Sequence, residues 1–328
     1  MCQTKKVGIL GLGKYLPEKR LTNKDLERIV DTTDEWIMTR TGIKERRIAR
    51  DDEATSDMAT EAARKALKAA GLEAKDIDLI IVATITPDMF FPATACLVQE
   101  KIGARQVPAF DISVACSGFI YGLSIANQFI SSGTYKHALV IAAEKLSSIT
   151  DWTDRNTCVL FGDGAGAAVL GPVEKGGILS MHLGADGKQG DLIKLPAGGS
   201  RIPASRKSVE DKLHFIKMNG AELFKHAVRI MADAALEATR PLGLKADDLN
   251  LVIPHQANIR ILNAAAKRMG LSQDKIYLNI EKYGNMSAAS SAVALVEAVE
   301  EGRIRKGDKI LLDAFGGGLT WGAIVIEW

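Results

Sequence analysis

Cys116, His255 and Asn285 are the residues whose types and surroundings best suit covalent catalysis. Cys116 follows the expected strand Ala109–Ala115 and opens an uncharged helical stretch rich in serine and glycine. A thiol at a helix N-terminus meets unpaired backbone N–H groups and the positive end of the helix dipole. These favour thiolate by roughly 0.3–2 kcal/mol, or up to about 1.5 pKa units. The expectation is a lowered thiol pKa. His255 lies in the run PHQAN and follows the apolar segment Leu249–Pro254, at the strand end where ligands of α/β proteins gather. Asn285, in GNMSAASS, opens a second small-residue segment. Its amide donates hydrogen bonds but cannot act as a base. Each residue also has an ordinary reading. A cysteine among Ala, Val and Gly is a small core residue. A histidine at a strand end is a satisfied core or surface group, and an asparagine is a helix N-cap. Cys96 and Cys158 read as structural, and Cys2 as an end residue.

An internal repeat says how these residues are brought together. Glu61–Thr84 and Asp233–Gln256 share a layout at an offset of 172: Ala-rich amphipathic helix, Gly stop, polar turn, apolar strand. Ala62, Ala63, Ala66, Gly71, Leu72, Ala74, Asp76 and Leu79 recur as Ala234, Ala235, Ala238, Gly243, Leu244, Ala246, Asp248 and Leu251. Downstream, Cys116–Gly133 lies over Asn285–Gly302, and the strands His137–Ala143 and Lys309–Phe315 follow. Glycine-rich strand starts come next at Phe161–Leu170 and Gly316–Ile326. Two such halves predict a pseudo-twofold α/β protein with its two uncharged helices packed between two sheets. Cys116 and Asn285 then face each other across the pseudo-axis, where pockets form. The expected halves are 1–172, with a charged helical insert near 22–50, and 173–328, with a polar surface loop near 184–217.

The chain has 328 residues, 47% apolar and 25% charged, with net charge +2. That is globular usage with no global field for nucleic acid or membrane. Ile112–Tyr135 lacks charge, but five serines and three glycines dilute it, so it reads as a buried helix. With no CxxC pair, leader-like cleavage site or HExxH, the chain is expected to be cytoplasmic and metal-free. GILGLG at Gly8–Gly13 and GDGAG at Gly162–Gly166 have the wrong order for GxGxxG, and no GxxxxGK[ST] occurs. Nucleotide-dependent dehydrogenase and P-loop chemistry are excluded on that ground.

ACSGF at Ala115–Phe119, PHQAN at Pro254–Asn258, GNMSAAS at Gly284–Ser290 and GGGLTWG at Gly316–Gly322 resemble the β-ketoacyl-acyl carrier protein synthase III family. So do DEWIMTRTGIKER at Asp34–Arg46 and FGDGAGAAVL at Phe161–Leu170. The resemblance implies the thiolase fold, layered α-β-α-β-α, and a homodimer. It implies decarboxylative Claisen condensation: a short acyl-CoA acylates Cys116, and malonyl-acyl carrier protein loses CO2 and attacks the thioester. His255 and Asn285 would stabilise the enolate, and the amides of Cys116 and Gly317 the acylation intermediate. No cofactor is implied beyond these substrates. Trp36 and Arg155 would sandwich the CoA adenine near Thr32 and Arg40. Asn258 would contact the pantetheine, and Phe224 would line the tunnel. Phe91 would close the partner's primer pocket. Lys225, Arg260, Lys267 and Arg268, with Arg229, would dock the acidic carrier protein. Ala221 and Asn156 depart from residues common in the family and put individual CoA contacts in question.

Three other readings compete. Cys116…His255…Asn285 is also the chain order of papain-like proteases, but CGSCW is absent and a duplicated α/β chain is the wrong fold. A non-catalytic carrier-binding subunit would be expected to lack the nucleophile or a donor. Relatives that join other acyl chains or form hydroxymethylglutaryl-CoA are disfavoured by PHQAN, GNMSAAS and Trp36.

Overall fold

The computed structural model describes residues 5–328; Cys2 lies outside them. One five-stranded sheet is built from β1 (Val7–Tyr15), β2 (Leu79–Ala83), β3 (Ala109–Ile112), β4 (Ala138–Lys145) and β5 (Asp163–Pro172), in spatial order β1-β5-β4-β2-β3. A four-stranded sheet contains β6 (Gly177–Ala185), β7 (Leu251–Pro254), β8 (Lys309–Gly316) and β9 (Thr320–Glu327), in order β6-β9-β8-β7. The orders correspond strand for strand. The first sheet has two parallel pairs, β2 with β4 and β2 with β3, and the second has one, β7 with β8, at the place that matches β2 with β4. A lone parallel bridge from Val252 to Ile276 stands where the second sheet would have its fifth strand.

The repeat has a physical basis in its turns. Gly71 and Gly243 both end their helices at φ 65°, a left-handed conformation that costs glycine little. Two residues on, Glu73 N–H donates to the Asp76 carboxylate at 2.9 Å and Lys245 N–H to Asp248 at 2.7 Å. The shared Asp therefore fixes the same one-turn entry into β2 and β7.

Helices α1 (Asp34–Thr41), α2 (Thr55–Ala70), α3 (Thr94–Ile102), α4 (Gly118–Ser131), α5 (Gly220–Thr239), α6 (Ile259–Met269) and α7 (Ala288–Glu300) complete the layers. The main core joins β2, β4, β8 and β9 to α4 and α7, so these two helices form the inner layer. Separate cores seat α2 and α3 on the outer face of the first sheet, and α5 and α6 on that of the second. Gly118 is what lets the inner layer close, because a Cβ there would stand 2.8 Å from the Ala83 Cβ and 3.1 Å from that of Ala288. No helix among the described residues is long and apolar enough to cross a membrane.

Two expectations need correction. The 184–217 segment is not a plain surface loop: Ile193–Lys194 pairs with Lys217–Met218, and Ile193, Ile216 and Met218 turn inward as cavity wall. Cys116 and Asn285 are not first residues of their helices. Cys116 sits in a separate 3-10 turn, Ala115–Ser117, and Asn285 precedes α7 by three residues.

Candidate active site

A single cavity of about 490 Å³ is lined by Cys116, His255 and Asn285 together, with Ser287, Phe224 and Gly317. The three side chains arrive on different supports. Cys116 rides the 3-10 turn after β3. That turn is tied to the other half by Thr320, whose hydroxyl donates to Val114 O at 3.0 Å and to Gly317 O at 3.1 Å. The glycine run passes close by: a Cβ on Gly316 would meet Cys116 N at 2.7 Å. Only a residue without a side chain lets that backbone approach the sulfur.

His255 follows β7, its backbone N–H donating to Asp313 O at 2.6 Å. The ring is buried and its Nδ1 has no protein partner. Burial pushes its pKa down to about 3, so the imidazole is neutral at neutral pH. Gln256 braces it from behind. Its amide donates to Pro254 O at 2.8 Å, and its oxygen accepts from Asn279 N at 3.0 Å.

Asn285 is held through its backbone, which donates to Leu160 O at 2.9 Å and accepts from Gly162 N at 3.0 Å. Its side-chain Oδ1 accepts from Ser287 N at 2.8 Å. With the oxygen committed, the NH2 group is left to donate, the polarity an oxyanion needs. It is not the helix N-cap; that position belongs to Ser287.

The thiol departs from expectation. Desolvation pushes the Cys116 thiol up to about 12, reinforced by the nearby Glu144 carboxylate and opposed by Ser287, although the side chain is part-exposed to the cavity. A helix dipole worth up to about 1.5 pKa units cannot offset that rise. Glu144, whose role the sequence did not disclose, is fully buried, and desolvation raises it to about 7. Among the described cysteines only Cys116 lines the cavity; Cys96 is on the surface and Cys158 lies in the core beneath Trp36.

The surrounding residues are placed as follows. Arg40 and Arg155 both lie on Trp36, with guanidinium carbons 4.8 and 5.0 Å from the ring centre. Arg155 is also anchored to Asp31 O at 2.8 Å. The slot expected between Trp36 and Arg155 is therefore shut, and a base entering it must displace the guanidinium. Thr32 follows Asp31 in the chain, and its hydroxyl is buried and unpartnered. Asn258 is at the cavity mouth but caps α6 through Arg260 N at 2.9 Å and donates to Arg40 O at 2.9 Å. Phe224 lines the cavity with Arg260 over its ring at 5.8 Å. Lys225, Arg260, Lys267 and Arg268 are exposed, but Lys225 pairs with Glu222 at 2.7 Å, and Arg229 and Arg268 share Asp233. Arg260 and Lys267 have no acidic partner within 4 Å among the described residues. Phe91 is 85% exposed, beside Phe90 at 81%, and does not line the cavity of its own chain. No group of three potential ligands suited to a metal occurs among the described residues.

Comparison with known proteins converges on one family. The model described as 3-oxoacyl-[acyl-carrier-protein] synthase III matches residues 110–187, and that of its C-terminal part matches 240–328. The chain is 61% identical to beta-ketoacyl-[acyl-carrier-protein] synthase III of Caldanaerobacter subterraneus subsp. tengcongensis, covering 100% of this chain and 99% of the relative. It is 59% identical to that of Clostridioides difficile, covering 98% of each. The crystal structure of 3-oxoacyl-[acyl-carrier-protein] synthase III from Aquifex aeolicus superposes with a TM-score of 0.91 at 52% identity, over 98% of this chain and 100% of that one.

Proposed function

The chain belongs to the 3-oxoacyl-[acyl-carrier-protein] synthase III family, and from that membership we propose how its cavity works. The activity is that of a β-ketoacyl-acyl carrier protein synthase III, an acyltransferase that starts fatty acid synthesis. Cys116 attacks the carbonyl of a short acyl-CoA, the thioester exchanges, and CoA leaves. Malonyl-acyl carrier protein then enters and loses CO2. Negative charge builds on its thioester oxygen, where neutral His255 and the Asn285 NH2 donate. The resulting carbanion attacks the Cys116 thioester to give 3-ketoacyl-carrier protein. The amides of Cys116 and Gly317 hold the oxyanion of the acylation step. The reaction balances without a cofactor.

The carrying observation is the commitment of Asn285 Oδ1 to Ser287 N beside a neutral His255, which leaves two donors facing one thiol. Acetyl is the proposed primer. In this reading Thr32, Trp36, Arg40, Arg155, Phe224 and Asn258 receive CoA, with Arg155 swinging off Trp36 to admit the base. Lys225, Arg260, Lys267 and Arg268 meet the carrier protein. The exposed Phe91 enters the partner of a cytoplasmic homodimer and sets primer length. The seam of the duplication is placed between residues 172 and 173, which the end of the first sheet at Pro172 and the start of the second at Gly177 support. Mass spectrometry after exposure to acetyl-CoA tests the reading. One acetyl on the peptide containing Cys116 is expected; label on Cys96 or Cys158 instead would overturn it.

A further inference from the structure

His255 and Asn285 arrive on different supports, yet both must aim at one oxygen. What joins those supports is the segment Tyr277–Tyr283, which ends in a one-turn helix, Ile280–Tyr283. The start of the segment is sewn to the His255 side. Tyr277 N donates to Val252 O, in β7, at 2.9 Å. Gln256, the residue after His255, accepts at Oε1 from Asn279 N at 3.0 Å and from Ile280 N at 3.2 Å, and its amide donates to Tyr277 O at 3.2 Å. The other end of the segment runs through Gly284 straight into Asn285.

One side chain grips both ends of this segment. Glu297 projects from α7 and is buried, as are Gln256, Asn279 and Tyr283. Its Oε2 accepts from Asn279 Nδ2 at 3.0 Å, and its Oε1 from the Tyr283 hydroxyl at 2.6 Å. Lys14, on β1, donates to the same Oε1 at 3.0 Å and to Glu300 at 2.6 Å, so the tie also crosses from one half of the molecule to the other. Burial opposes charge on Glu297, but the donors Tyr283, Asn279 and Lys14 outweigh it and hold the carboxyl below its ordinary range. Glu297 is therefore ionised at neutral pH, and its bonds are of the charge-assisted, strongly directional kind. It does not line the cavity.

We propose that Glu297 is a positioning residue for decarboxylation, fixing the distance between His255 and Asn285 by holding Asn279 on the side of one donor and Tyr283 on the side of the other. The proposal rests on the reading of that pair as the donors to the enolate oxygen. Glu297 touches no substrate and moves no proton; its effect is geometric. Donors to a developing charge act when they are preset at hydrogen-bond distance, and a displacement of about 1 Å costs up to roughly 10²-fold. The direction of the Asn285 side chain is set locally, by Ser287 N on its Oδ1 and by Leu160 and Gly162 on its backbone. Those contacts do not set how far it stands from His255. The acylation donors, the amides of Cys116 and Gly317, lie on segments that none of the Glu297 bonds reaches. The tie therefore serves one half-reaction and not the other.

The test compares CO2 release from malonyl-carrier protein with acetyl transfer from acetyl-CoA to Cys116 in the full chain. Tyr283→Phe keeps the ring and removes only the bond to Oε1; Asn279→Ala removes only the bond to Oε2. Each should lower kcat for CO2 release roughly tenfold with KM for malonyl-carrier protein unchanged, and Glu297→Ala, which frees both ends, roughly 100-fold. Glu297→Gln keeps an acceptor for Asn279 and a donor for the Tyr283 hydroxyl, and should lose less than Glu297→Ala. Acetylation of Cys116 should proceed at the wild-type rate in all four. In an Asn285→Ala background, where no amide is left to aim, Tyr283→Phe should cost less than about twofold more. Melting temperatures show whether each variant folds; if Glu297→Ala does not, Tyr283→Phe, which loses a single hydroxyl, decides. Wild-type CO2 release in Tyr283→Phe and Asn279→Ala, equal slowing of both half-reactions, or losses that multiply in the Asn285→Ala background would mark Glu297 as structural and overturn the proposal, with the donor pair still in place. CO2 release at the wild-type rate in both His255→Ala and Asn285→Ala would remove the donor pair itself, and the proposal with it.

Discussion

The turn that carries Cys116 and the turn that carries Asn285 occupy corresponding places in the two halves, yet they are built for opposite purposes. Each has a residue at positive φ just before the functional side chain, Ala115 at 46° and Gly284 at 64°. Each leads into a buried helix, α4 of 14 residues and α7 of 13. The Cys116 turn runs straight into its helix and leaves the sulfur facing the cavity. The Asn285 turn is clamped by Leu160 and Gly162, and its side-chain oxygen is spoken for by Ser287 N. Duplication thus supplied two equivalent approaches to one cavity. One became the place where a bond forms, the other a fixed donor for charge that develops elsewhere. The division predicts that lesions on the two turns will separate the two half-reactions.

The largest effect should come from the nucleophile. Cys116→Ser should abolish acetyl transfer to the protein, because a hydroxyl is a far weaker nucleophile than a thiol. Retention of label at the same peptide, or its appearance on another cysteine, would break the assignment of bond formation to this turn.

The donor turn should behave differently. His255→Ala and Asn285→Ala should still acylate at Cys116 but release CO2 from malonyl-carrier protein roughly 10²–10³ times more slowly. Asn285→Asp sharpens the point, since it keeps the acceptor for Ser287 N and replaces the donor by negative charge; it should be at least as slow as the alanine variant. The histidine also carries a pH signature. Its pKa is depressed to about 3, so it is neutral throughout pH 5–9 and the decarboxylation rate should show no histidine limb there. Decarboxylation at the wild-type rate in either alanine variant would remove that residue from the oxyanion pair.

Much of this was legible in residue types. The Gly–Leu–x–Ala–x–Asp signature at Gly71 and Gly243 encodes a turn through backbone conformation and a short Asp hydrogen bond, so it survives where identity between the halves is low. Glycine at 316 showed in the sequence only as part of a glycine-rich strand start; the fold shows the backbone passing close to the Cys116 turn there. What stayed hidden depends on neighbours distant in sequence. Glu144 looks like the polar end of a strand in ALVIAAEK; only the fold shows it fully buried, with Thr84, Ile85 and Thr86 donating to its carboxylate. The sign of the thiol shift was misjudged because helix position is local while desolvation is not. The 184–217 segment is polar by composition, and isolated apolar residues such as Ile193 and Ile216 are too sparse to signal a cavity wall. Asp233, which compensates two of the expected docking cations, sits a full helix away from Arg268.

A smaller effect should follow from tightening the contact between the halves. Gly316→Ala would place a Cβ 2.7 Å from Cys116 N, a backbone atom that cannot rotate away. The cost should be about 1–3 kcal/mol of stability, seen as a lower melting temperature. Acylation should slow more than decarboxylation, because the displaced atom belongs to the Cys116 turn. Equal slowing of both half-reactions would mean that the two turns move as one body and that their division of labour is less complete.

The smallest effect concerns the cations of α5 and α6, two helices that contribute Phe224 and Ile261 to the cavity lining. Among the described residues Arg260 and Lys267 lack acidic partners, while Lys225, Arg229 and Arg268 are compensated by Glu222 and Asp233. Exposed pairs of that kind contribute about 0–1 kcal/mol and leave little field at a distance. The attraction for an acidic carrier protein should therefore come mainly from Arg260 and Lys267, and not equally from the whole patch. Rim charges act on encounter rate and salt dependence more than on the bound complex. Arg260→Glu and Lys267→Glu should each raise KM for malonyl-carrier protein several-fold, while Arg268→Glu should do less, and acetylation of Cys116 by acetyl-CoA should be nearly unchanged in all three. Raising ionic strength from about 0.01 M to 0.15 M shortens the screening length from about 30 Å to 8 Å. That change should weaken the wild type more than the charge-reversed variants, because the wild type has more attraction to lose. Arg260 also lies over Phe224 and beside Asn258, so its reversal is the less pure test. Lys267, two turns further along α6, touches neither. If Lys267→Glu slows acetylation as much as it raises KM for the carrier protein, the patch serves folding or the phosphates of CoA, and the carrier protein docks on another face.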